Sequence, residues 1–527
     1  MHYPGIFLNF KLYKFGSGLI VLLLAGLLAA CGNDTAAPTT TAATTQAATT
    51  TTATTAAATT AASATSAAPG TTSAAATVAS TTATQAGTTT VAATTAPAAT
   101  VASTTTAPTQ PAATTAVAAT TAVATAAAAT TAAQSGVKNR PIDNKYPAGP
   151  APTVAPPAGG LVDITLQVPD ALKKGTFAQN RTLKLPKGFQ ISLYTQVSGG
   201  LRHATFSPDG RLFATARNDG RVLVLKDNGA YAEAATFAEG MNGPHGLAFH
   251  EANGQLYLYV AENDKVTRMA YQPGQARADR KEVIVTDLPT GGGHSTRSIA
   301  FGPDNKMYIA AGSSCNVCVE TNPARAAVTQ YNDDGTGKRI FATGLRNEVG
   351  IKFHPETGEL WGVENSRDSL GNNLPPEEIN IIVDSGNYGW PYCYSNKVYD
   401  TNFGGKDPAY CQQTLPPALP MQAHSAPLGL DFYLPKTMQF PADFRGDVFV
   451  GFHGSWDSTQ PTGYKVVRVR VKDGRPESYE DFATGWLIGT GTRNYWGRPV
   501  DTVVGPDGSL YITDDQTNAI YKVTYKG

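Results

Sequence analysis

The sequence predicts an all-β protein, a six-bladed β-propeller that follows a long Thr/Ala-rich linker. The main observation is a phrase that recurs six times: an apolar strand, a tight turn and a second apolar strand. The copies lie at 204–213, 247–257, 299–308, 351–361, 444–450 and 503–511. Asp-Gly and Asn-Gly pairs supply the positive φ angles that tight hairpin turns require, and the alternating apolar residues predict half-buried antiparallel strands. A repeat of this kind is typical of propeller blades with about four strands each.

The first 30 residues predict a lipoprotein signal peptide. Two lysines precede an apolar run at 19–30, which is too short to span a bilayer comfortably. The run ends in Leu-Ala-Ala followed by Cys31, a pattern that resembles a bacterial lipobox, in which Cys31 is lipidated after cleavage. An ordinary signal peptide with a chance cysteine is the alternative. We therefore expect an extracytoplasmic lipoprotein anchored to the membrane through Cys31.

Residues 31–160 are predicted to be a disordered linker, and residues 161–527 the propeller domain. The stretch 35–137 contains no charged residue and consists almost entirely of Thr and Ala. It has no apolar periodicity that could bury a face, and its dense Thr residues oppose helix formation. As a flexible coil, roughly 100 residues would have a root-mean-square span of about 55 Å. The formal net charge of the whole chain is +0 and no basic patch is evident, which argues against a nucleic-acid partner.

Four cysteines remain after Cys31, and an exported protein meets an oxidising environment, so they predict two disulfides. Among the three possible connectivities we favour local pairing. This pairing joins Cys315 to Cys318 and Cys393 to Cys411. Half of a zinc site at Cys315 and Cys318 is the alternative, but a second closely spaced pair is absent from the sequence.

Polar residues gather between the repeats, where they would converge on the propeller axis. His294 follows three glycines and has the side chain best suited to a general base near neutral pH. Arg346 and Asn347 precede the fourth repeat, and Asn365 to Asp368 follow its second strand. The last segment offers hard oxygen donors that suit calcium. His453 follows the fifth repeat, and Arg498 precedes the sixth. Together these polar residues predict an active site.

Several ordered motifs resemble the sorbosone dehydrogenase family, relatives of soluble quinoprotein glucose dehydrogenase and of fungal pyranose dehydrogenases. The motifs are Gly-His-Ser-Thr-Arg at 293–297, Gly-Ser-Ser-Cys-Asn-Val-Cys at 312–318, Gly-Leu-Arg-Asn at 344–347, Tyr-Gly-Trp-Pro at 388–391 and His-Gly-Ser-Trp at 453–456. The resemblance covers about residues 183–523. It implies a six-bladed propeller that binds pyrroloquinoline quinone (PQQ) over its central channel, with Ca²⁺ coordinating the cofactor.

Position by position, the resemblance implies two catalytic residues, His294 as the base that takes the substrate proton and Arg346 as its partner at the quinone. It implies Ser366 and Asp368 as calcium ligands. The implied cofactor-binding residues are Arg297, Arg346, Asn347, Asn365, Arg367, His453 and Arg498. The chain departs from the soluble glucose dehydrogenases in having Ser366-Arg367 where they have Gly-Pro, and His453 where they have a lysine. Both departures place it nearer the sorbosone and pyranose branch.

The expected function is therefore oxidation of a sugar or related alcohol or aldehyde by a quinoprotein outside the cytoplasm. The substrate would be a small sugar or polyol. The sequence has no Cys-x-x-Cys-His motif for haem attachment, so electrons would pass to a separate acceptor, a quinone or a cytochrome. Two alternatives remain open at this point: a calcium-dependent sugar lactonase of the same blade number, and a propeller without catalytic activity that displays a binding surface.

Overall fold

The structure, a computed structural model, describes Arg140, Ile142, residues 145–152, Val154, and residues 156–491 and 493–527. The predicted signal peptide, Cys31 and most of the predicted linker lie outside these residues. Within the described part, no helix has the length and apolar character needed to cross a membrane.

The described chain forms antiparallel strands linked by turns, with four short 3₁₀ turns at Asp170–Leu172, Gly175–Ala178, Pro408–Gln413 and Ala442–Phe444. Ahead of the blades lie β1 (Val162–Thr165), β2 (Thr182–Leu185) and β3 (Phe189–Gln196). Blade 1 contains β4 (Leu201–Phe206), β5 (Leu212–Ala216), β6 (Arg221–Asp227) and β7 (Ala232–Ala238). Blade 2 contains β8 (Gly246–Ala252), β9 (Gln255–Ala261), β10 (Val266–Ala270) and β11 (Glu282–Val285).

The next two blades carry the insertions of the fold. Blade 3 contains β12 (Arg297–Phe301), β13 (Met307–Ala311), β14 (Ala327–Tyr331) and β15 (Arg339–Thr343). Blade 4 begins with β16 (Glu348–Phe353), β17 (Leu360–Glu364) and β18 (Glu377–Ile382). The chain then forms β19 (Gly386–Asn387), the hairpin β20 (Cys393–Tyr394) and β21 (Val398–Tyr399), and β22 (Leu419–Met421). Strand β19 joins blade 3 beside β15, and β22 completes blade 4.

The last two blades close the ring. Blade 5 contains β23 (Pro427–Phe432), β24 (Val448–Phe452), β25 (Lys465–Lys472) and β26 (Arg475–Ala483). Blade 6 combines β27 (Pro499–Val504), β28 (Leu510–Asp514) and β29 (Ala519–Tyr525) with β3 from the start of the domain. Because β3 pairs with β29, the hydrogen bonds of one sheet join the N-terminal and C-terminal ends of the propeller domain.

The first strands of successive blades contact one another in a closed cycle, β4, β8, β12, β16, β23 and β27. The prediction of an all-β, six-bladed propeller is therefore confirmed. Five of the six recurring phrases correspond to the first two strands of a blade, for example β4 with β5 and β12 with β13. The copy at 444–450 contains only the start of β24, because a longer loop separates β23 from β24. The apolar residues of these hairpins are buried, and aromatic contacts such as that of Phe189 with Phe440 and Phe482 pack β3 against blade 5.

The described residues before the first strand lie on the side of the propeller. Arg140 forms a salt bridge with the fully buried carboxylate of Glu359 at 2.5 Å, and Ile142 packs against the apolar core. Tyr146 donates to the carbonyl oxygen of Glu477 at 2.9 Å. The end of the segment predicted as linker, from Arg140 onward, therefore belongs structurally with the propeller.

Candidate active site

A cavity of about 310 Å³ lies at the end of the propeller where the innermost strands begin. Its lining comes from five blades: Gly200, Arg202, Arg217, Asn218, Gly293, His294, Ser295, Thr296, Asn347, Val349, Leu428 and Asp515. A second cavity, of about 250 Å³, is lined by the middle of all six innermost strands. The first, which we term the axial cavity, contains two of the predicted site residues, His294 and Asn347, and most of its charge is positive.

His294 is oriented by Ser313. The Nδ1 atom of His294 lies 2.9 Å from the carbonyl oxygen and 3.0 Å from the hydroxyl of Ser313. That hydroxyl donates its own hydrogen to the carbonyl oxygen of Cys315 at 2.6 Å. Both oxygens of Ser313 can therefore only accept from His294, so Nδ1 carries the ring proton and Nε2 keeps a lone pair. Burial, followed by the nearby Arg346 charge, lowers the pKa of His294 to about 4.

Two buried arginines hold the loop that carries His294. Arg297 is 1% exposed and donates to the carbonyl oxygens of Pro289, His294 and Thr296. Arg325 donates to the carbonyl oxygens of Gly291, His294 and Gly312. Burial lowers the pKa of Arg297 to about 10, with the charge of Arg325 acting in the same direction. Arg297, predicted to contact a cofactor, is not among the residues that line the axial cavity and instead positions His294.

Asp515 connects an arginine and a histidine at the opposite wall. It accepts from Arg202 at 2.6 Å through one oxygen and from Nε2 of His453 at 2.8 Å through the other. Burial lowers the pKa of His453 to about 4, although Asp515 opposes this effect. Arg498 donates to the carbonyl oxygens of His453 and Gly454, which leaves one of its terminal nitrogens without a hydrogen bond from the described residues. Arg202 and Asp515 line the axial cavity, whereas the predicted residues His453 and Arg498 are not among its lining residues and reach it only through their contacts with Asp515 and with each other.

Arg217 is the least compensated cation of the axial cavity. Its terminal nitrogen donates to Ser295 at 2.7 Å and to Asn263 at 3.2 Å, and no carboxylate among the described residues pairs with it. The Nε atoms of Arg217 and Arg202 are both buried without a hydrogen-bond partner in the described chain. Because Arg217 lines the cavity without a carboxylate partner, the cavity is suited to a ligand with anionic oxygens.

Arg346 is fully used by the protein itself. Its five N–H groups meet the carbonyl oxygens of Asn316, Asn365 and Ser366, the side-chain oxygen of Asn316 and the carboxylate of Asp368, at 2.8 to 3.0 Å. It is 4% exposed. The sequence pointed to Arg346 as a direct catalytic contact, whereas the structure gives it the role of organising the loops around the site.

Asn347 lies in the axial cavity because the neighbouring strand ends in a glycine. A Cβ atom on Gly312 would collide with the side-chain oxygen of Asn347 and would lie 2.7 Å from the Cβ atom of His294. Such close approach is possible only for glycine. Gly312 therefore allows His294 and Asn347 to sit side by side.

The side chains of residues 365–368 contact different parts of the protein. Asn365 donates to the carbonyl oxygen of Pro427 and thus bridges blades 4 and 5. Ser366 donates its hydroxyl to Pro376 and lines a small cavity beneath blade 4. Arg367 forms a buried salt bridge with Asp400 at 2.5 Å in that same small cavity. Neither Ser366 nor Arg367 lines the axial cavity, so the side chains predicted to hold calcium and cofactor do not converge there.

Asp368, the second predicted calcium ligand, lies in yet another group. Its carboxylate pairs with Arg346 at 3.0 Å and comes close to His424 and Asp457. The two predicted metal ligands, Ser366 and Asp368, therefore face different surroundings.

Both disulfides of the favoured connectivity are present. Cys315 is joined to Cys318, and Cys393 to Cys411. Because the sulfurs of Cys315 and Cys318 are bonded to each other, they are not available as zinc ligands. The first disulfide closes the loop that presents Asn316 to Arg346.

Sequence reasoning did not find Arg202, Arg217, Ser313, Arg325 or Asp515. A usable signal existed for one of them, because Arg217 directly follows the second strand of blade 1 as Asn365 follows the second strand of blade 4. Asp515 lies in the turn after the second strand of blade 6, and nothing in its local sequence distinguishes it from an ordinary turn aspartate.

Comparisons with known proteins identify the family of the chain. The TrAA12-like family matches residues 183–526 of the chain. A protein of Borreliella burgdorferi is 30% identical over 358 residues, which cover 66% of this chain and 91% of that protein. The PQQ-dependent pyranose dehydrogenase of Coprinopsis cinerea is 24% identical over 408 residues, covering 64% of this chain and 54% of that protein. The chain thus spans about half the length of this fungal relative.

A solved structure extends the comparison to the fold. The calcium structure of a Trichoderma reesei protein of carbohydrate-active enzyme family AA12 superposes with a TM-score of 0.54 at 24% sequence identity. The superposition covers 65% of this chain and 96% of that one. The likeness therefore extends over nearly all of the solved propeller.

Proposed function

The chain belongs to the TrAA12-like family, and from that premise we propose that it is a PQQ-dependent dehydrogenase that oxidises a sugar or related alcohol or aldehyde. The observation that carries this proposal is the axial cavity itself, which is lined by His294 with an open Nε2 and by Arg217, a cation that pairs with no carboxylate among the described residues. The named relatives include a PQQ-dependent pyranose dehydrogenase, which agrees in both cofactor and substrate class.

The axial cavity fits the chemistry of PQQ. PQQ carries three carboxylates, and two arginines, Arg202 and Arg217, line the cavity, the second without a carboxylate partner in the described chain. When bound, the quinone would supply the two-electron acceptor for oxidation of a CH–OH group.

His294 supplies the base. Its Nδ1 proton is fixed on Ser313, so the lone pair of Nε2 is available to take the proton of a substrate hydroxyl. Arg297 and Arg325 hold the backbone of its loop, and their charge disfavours protonation of the ring. In this proposal Asn347 contacts the bound ligand directly, while Arg346 fixes the loops from beneath.

Ca²⁺ is the second cofactor that we propose, in keeping with the calcium structure of the Trichoderma reesei relative. The hard oxygen donors closest to this role are the backbone carbonyls of Asn365 and Ser366. Each accepts one hydrogen bond from Arg346 and keeps a second lone pair. The Ser366 hydroxyl and the Asp368 carboxylate are engaged elsewhere, so main-chain oxygens replace the side chains predicted from the sequence.

We further propose that the domain works outside the cytoplasm as a lipoprotein and passes its electrons to a separate acceptor, a quinone or a cytochrome. The support comes from the sequence: the apolar run that ends in Cys31, the long uncharged Thr/Ala tract, and the absence of a haem attachment motif. A palmitate-labelling experiment on cells that express wild-type protein or Cys31→Ser tests the anchor, because only the wild type should incorporate the label.

The activity test is reconstitution. Purified protein incubated with PQQ and CaCl₂ should reduce an artificial dye in the presence of one or more sugars from a panel of aldoses and polyols. His294→Gln should lower kcat by about 10²- to 10⁴-fold, the usual contribution of a general base. His250→Gln, a change of a histidine outside the axial cavity, is the matched control and should keep activity. Absence of dye reduction with every sugar, under conditions in which PQQ is bound, would overturn the proposed function.

A further inference from the structure

We propose that Asp368, His424 and Asp457 form a binding site for a divalent transition-metal ion of the Zn²⁺ class, separate from the axial cavity. This inference goes beyond the proposed function and does not depend on the quinone.

The three side chains come from three different loops of blades 4 and 5. Asp368 follows β17, His424 precedes β23 and Asp457 follows β24. One ligand atom from each lies within 4.8 Å of the other two. Their side chains are 18%, 5% and 12% exposed, so the cluster is largely withdrawn from water while remaining reachable from one side.

The orientation of His424 resembles that of a metal ligand. Its Nε2 atom lies 2.6 Å from the carbonyl oxygen of Gly371, which can only accept, so Nε2 carries a proton. In the neutral ring the lone pair of Nδ1 then faces Asp457, whose Oδ1 is 3.1 Å away. A lone pair opposite a carboxylate is repulsive unless a cation lies between them. Metal-binding histidines commonly donate their second ring N–H to a backbone carbonyl in this way.

The charges around the cluster also favour a bound cation. Asp368 is paired with Arg346, but no lysine or arginine among the described residues pairs with Asp457. A bound cation would compensate the second carboxylate and remove the repulsion between the two.

The donor set favours a transition metal over calcium. One imidazole nitrogen and two carboxylates are typical ligands of Zn²⁺, with water in a fourth position, whereas Ca²⁺ takes six to eight oxygens. The 3.1 Å between Nδ1 of His424 and Oδ1 of Asp457 is close to the roughly 3.3 Å expected between two ligands in a tetrahedral sphere.

The loops are already held in the required arrangement by other contacts. The side chain of Asn372 accepts from the backbone N–H of Thr459 at 3.0 Å and donates to its hydroxyl. The 368–373 and 457–460 loops are therefore fastened together a few residues from the cluster. A metal at Asp368 would also fix Arg346, which orders the backbone at Asn365 and Ser366.

The test is a zinc titration of the purified protein carrying no polyhistidine tag, stripped with chelator and kept in excess CaCl₂ so that oxygen-only sites are saturated. Calorimetry with ZnCl₂ should give one equivalent, and elemental analysis after dialysis should retain it. Binding should also raise Tm. Co²⁺ in place of Zn²⁺ should give the intense visible absorption of a tetrahedral site.

The variants locate the site. His424→Gln and Asp457→Asn should each weaken zinc binding by at least about 10-fold and abolish the rise in Tm, because each removes one of three protein ligands. Asp457→Asn keeps the size of the side chain and serves if His424→Gln does not fold. His294→Gln, which alters the axial cavity, and Asp334→Asn, which alters an exposed turn, should leave zinc binding unchanged.

Two results would overturn the proposal. The first is a wild-type protein that retains no zinc, which would mean that His424 is an imidazolium ion-paired with the two aspartates. The second is zinc binding that survives both His424→Gln and Asp457→Asn, or that is lost with His294→Gln, since either pattern would place the metal elsewhere.

Discussion

At the scale of single residues, the arginines around His294 have two effects at once. Arg202 and Arg217 bring positive charge to the lining of the axial cavity. The charges of Arg346, Arg325 and Arg297 disfavour a positive charge on the histidine. The positive charge of these arginines therefore keeps the histidine base neutral and also attracts an anionic cofactor. The consequence is that His294 stays neutral, and can accept a proton, at pH values well below the usual pKa of histidine.

The pH dependence of catalysis follows from this shift. Because the pKa of His294 is lowered to about 4, the ring stays neutral until the pH falls near that value. We expect kcat/KM of the reconstituted enzyme to be constant between about pH 8 and pH 6, where His294 is neutral. At lower pH it should fall, with an inflection near pH 4. Steady-state kinetics measure this, with circular dichroism at each pH to establish that the protein is folded. An inflection near 6.5 would contradict the account.

Arg217 should determine cofactor affinity. Arg217→Gln removes a cation that no carboxylate among the described residues compensates, so the dissociation constant of PQQ should rise by about 10- to 100-fold. Calorimetric titration of the protein with PQQ measures the change. Arg221→Gln, on the same blade but paired with Asp219 at the surface, is the control and should leave PQQ affinity unaltered. Equal affinity of wild type and Arg217→Gln would exclude Arg217 as a ligand contact.

At the scale of elements, blade 4 contains an unusual row of buried carboxylates across its first three strands. Glu348 on β16, Glu364 on β17 and Glu378 on β18 are cross-strand neighbours, and all three approach the side-chain nitrogen of Asn380. Burial raises the pKa of all three, to about 7 for Glu378 and well above the ordinary value for Glu348 and Glu364. The row therefore holds protons at neutral pH and lies directly behind Arg346, whose backbone N–H donates to Glu364.

This row makes stability depend on pH. A carboxyl group whose pKa is raised in the folded state contributes most below its unfolded pKa of about 4.5 and loses that contribution as the pH rises through the folded value. Glu348→Gln removes one titrating group but can still donate to Glu364. As the pH rises from 5 to 8, the Tm of the variant should therefore increase relative to that of the wild type by about 2–4 °C. Calorimetric scans measure it.

The control for this comparison is Glu356→Gln, an exposed position on the same blade that pairs with Arg445. Its difference from wild type should not depend on pH over this range. A pH-independent difference for Glu348→Gln as well would mean that the row does not hold protons.

The sequence predicted the first hairpin of five blades because the relevant signal is local, whereas in blade 5 it predicted only β24. Turn residues and alternating apolar positions lie within about ten residues of one another, as in β12 and β13. The closure of blade 6 by β3 was not predicted, since pairing between residues such as Ile191 and Val523 leaves no local trace. The same limit applied to the site: His294 and Asn347 were found by motif, whereas Arg217 and Asp515 converge on them only in the folded ring.

At the scale of the whole molecule, a formal net charge of +0 conceals a strongly uneven distribution. The mouth of the propeller collects Arg202, Arg217, Arg297, Arg325, Arg346 and Arg498, and within the described chain few carboxylates face them. A closed ring of six blades is what allows residues from distant parts of the sequence to meet there. The overall charge argues against a nucleic-acid partner, and the local charge suits the small anionic ligand that we propose.

The most direct test of this account is a crystal structure of the protein grown with PQQ and Ca²⁺. We predict density for the quinone in the axial cavity, with its carboxylates on Arg202 and Arg217 and its reactive ring beside Nε2 of His294. An axial cavity that stays empty while PQQ binds elsewhere, or a bound quinone that makes no contact with these arginines, would contradict the assignment of the site.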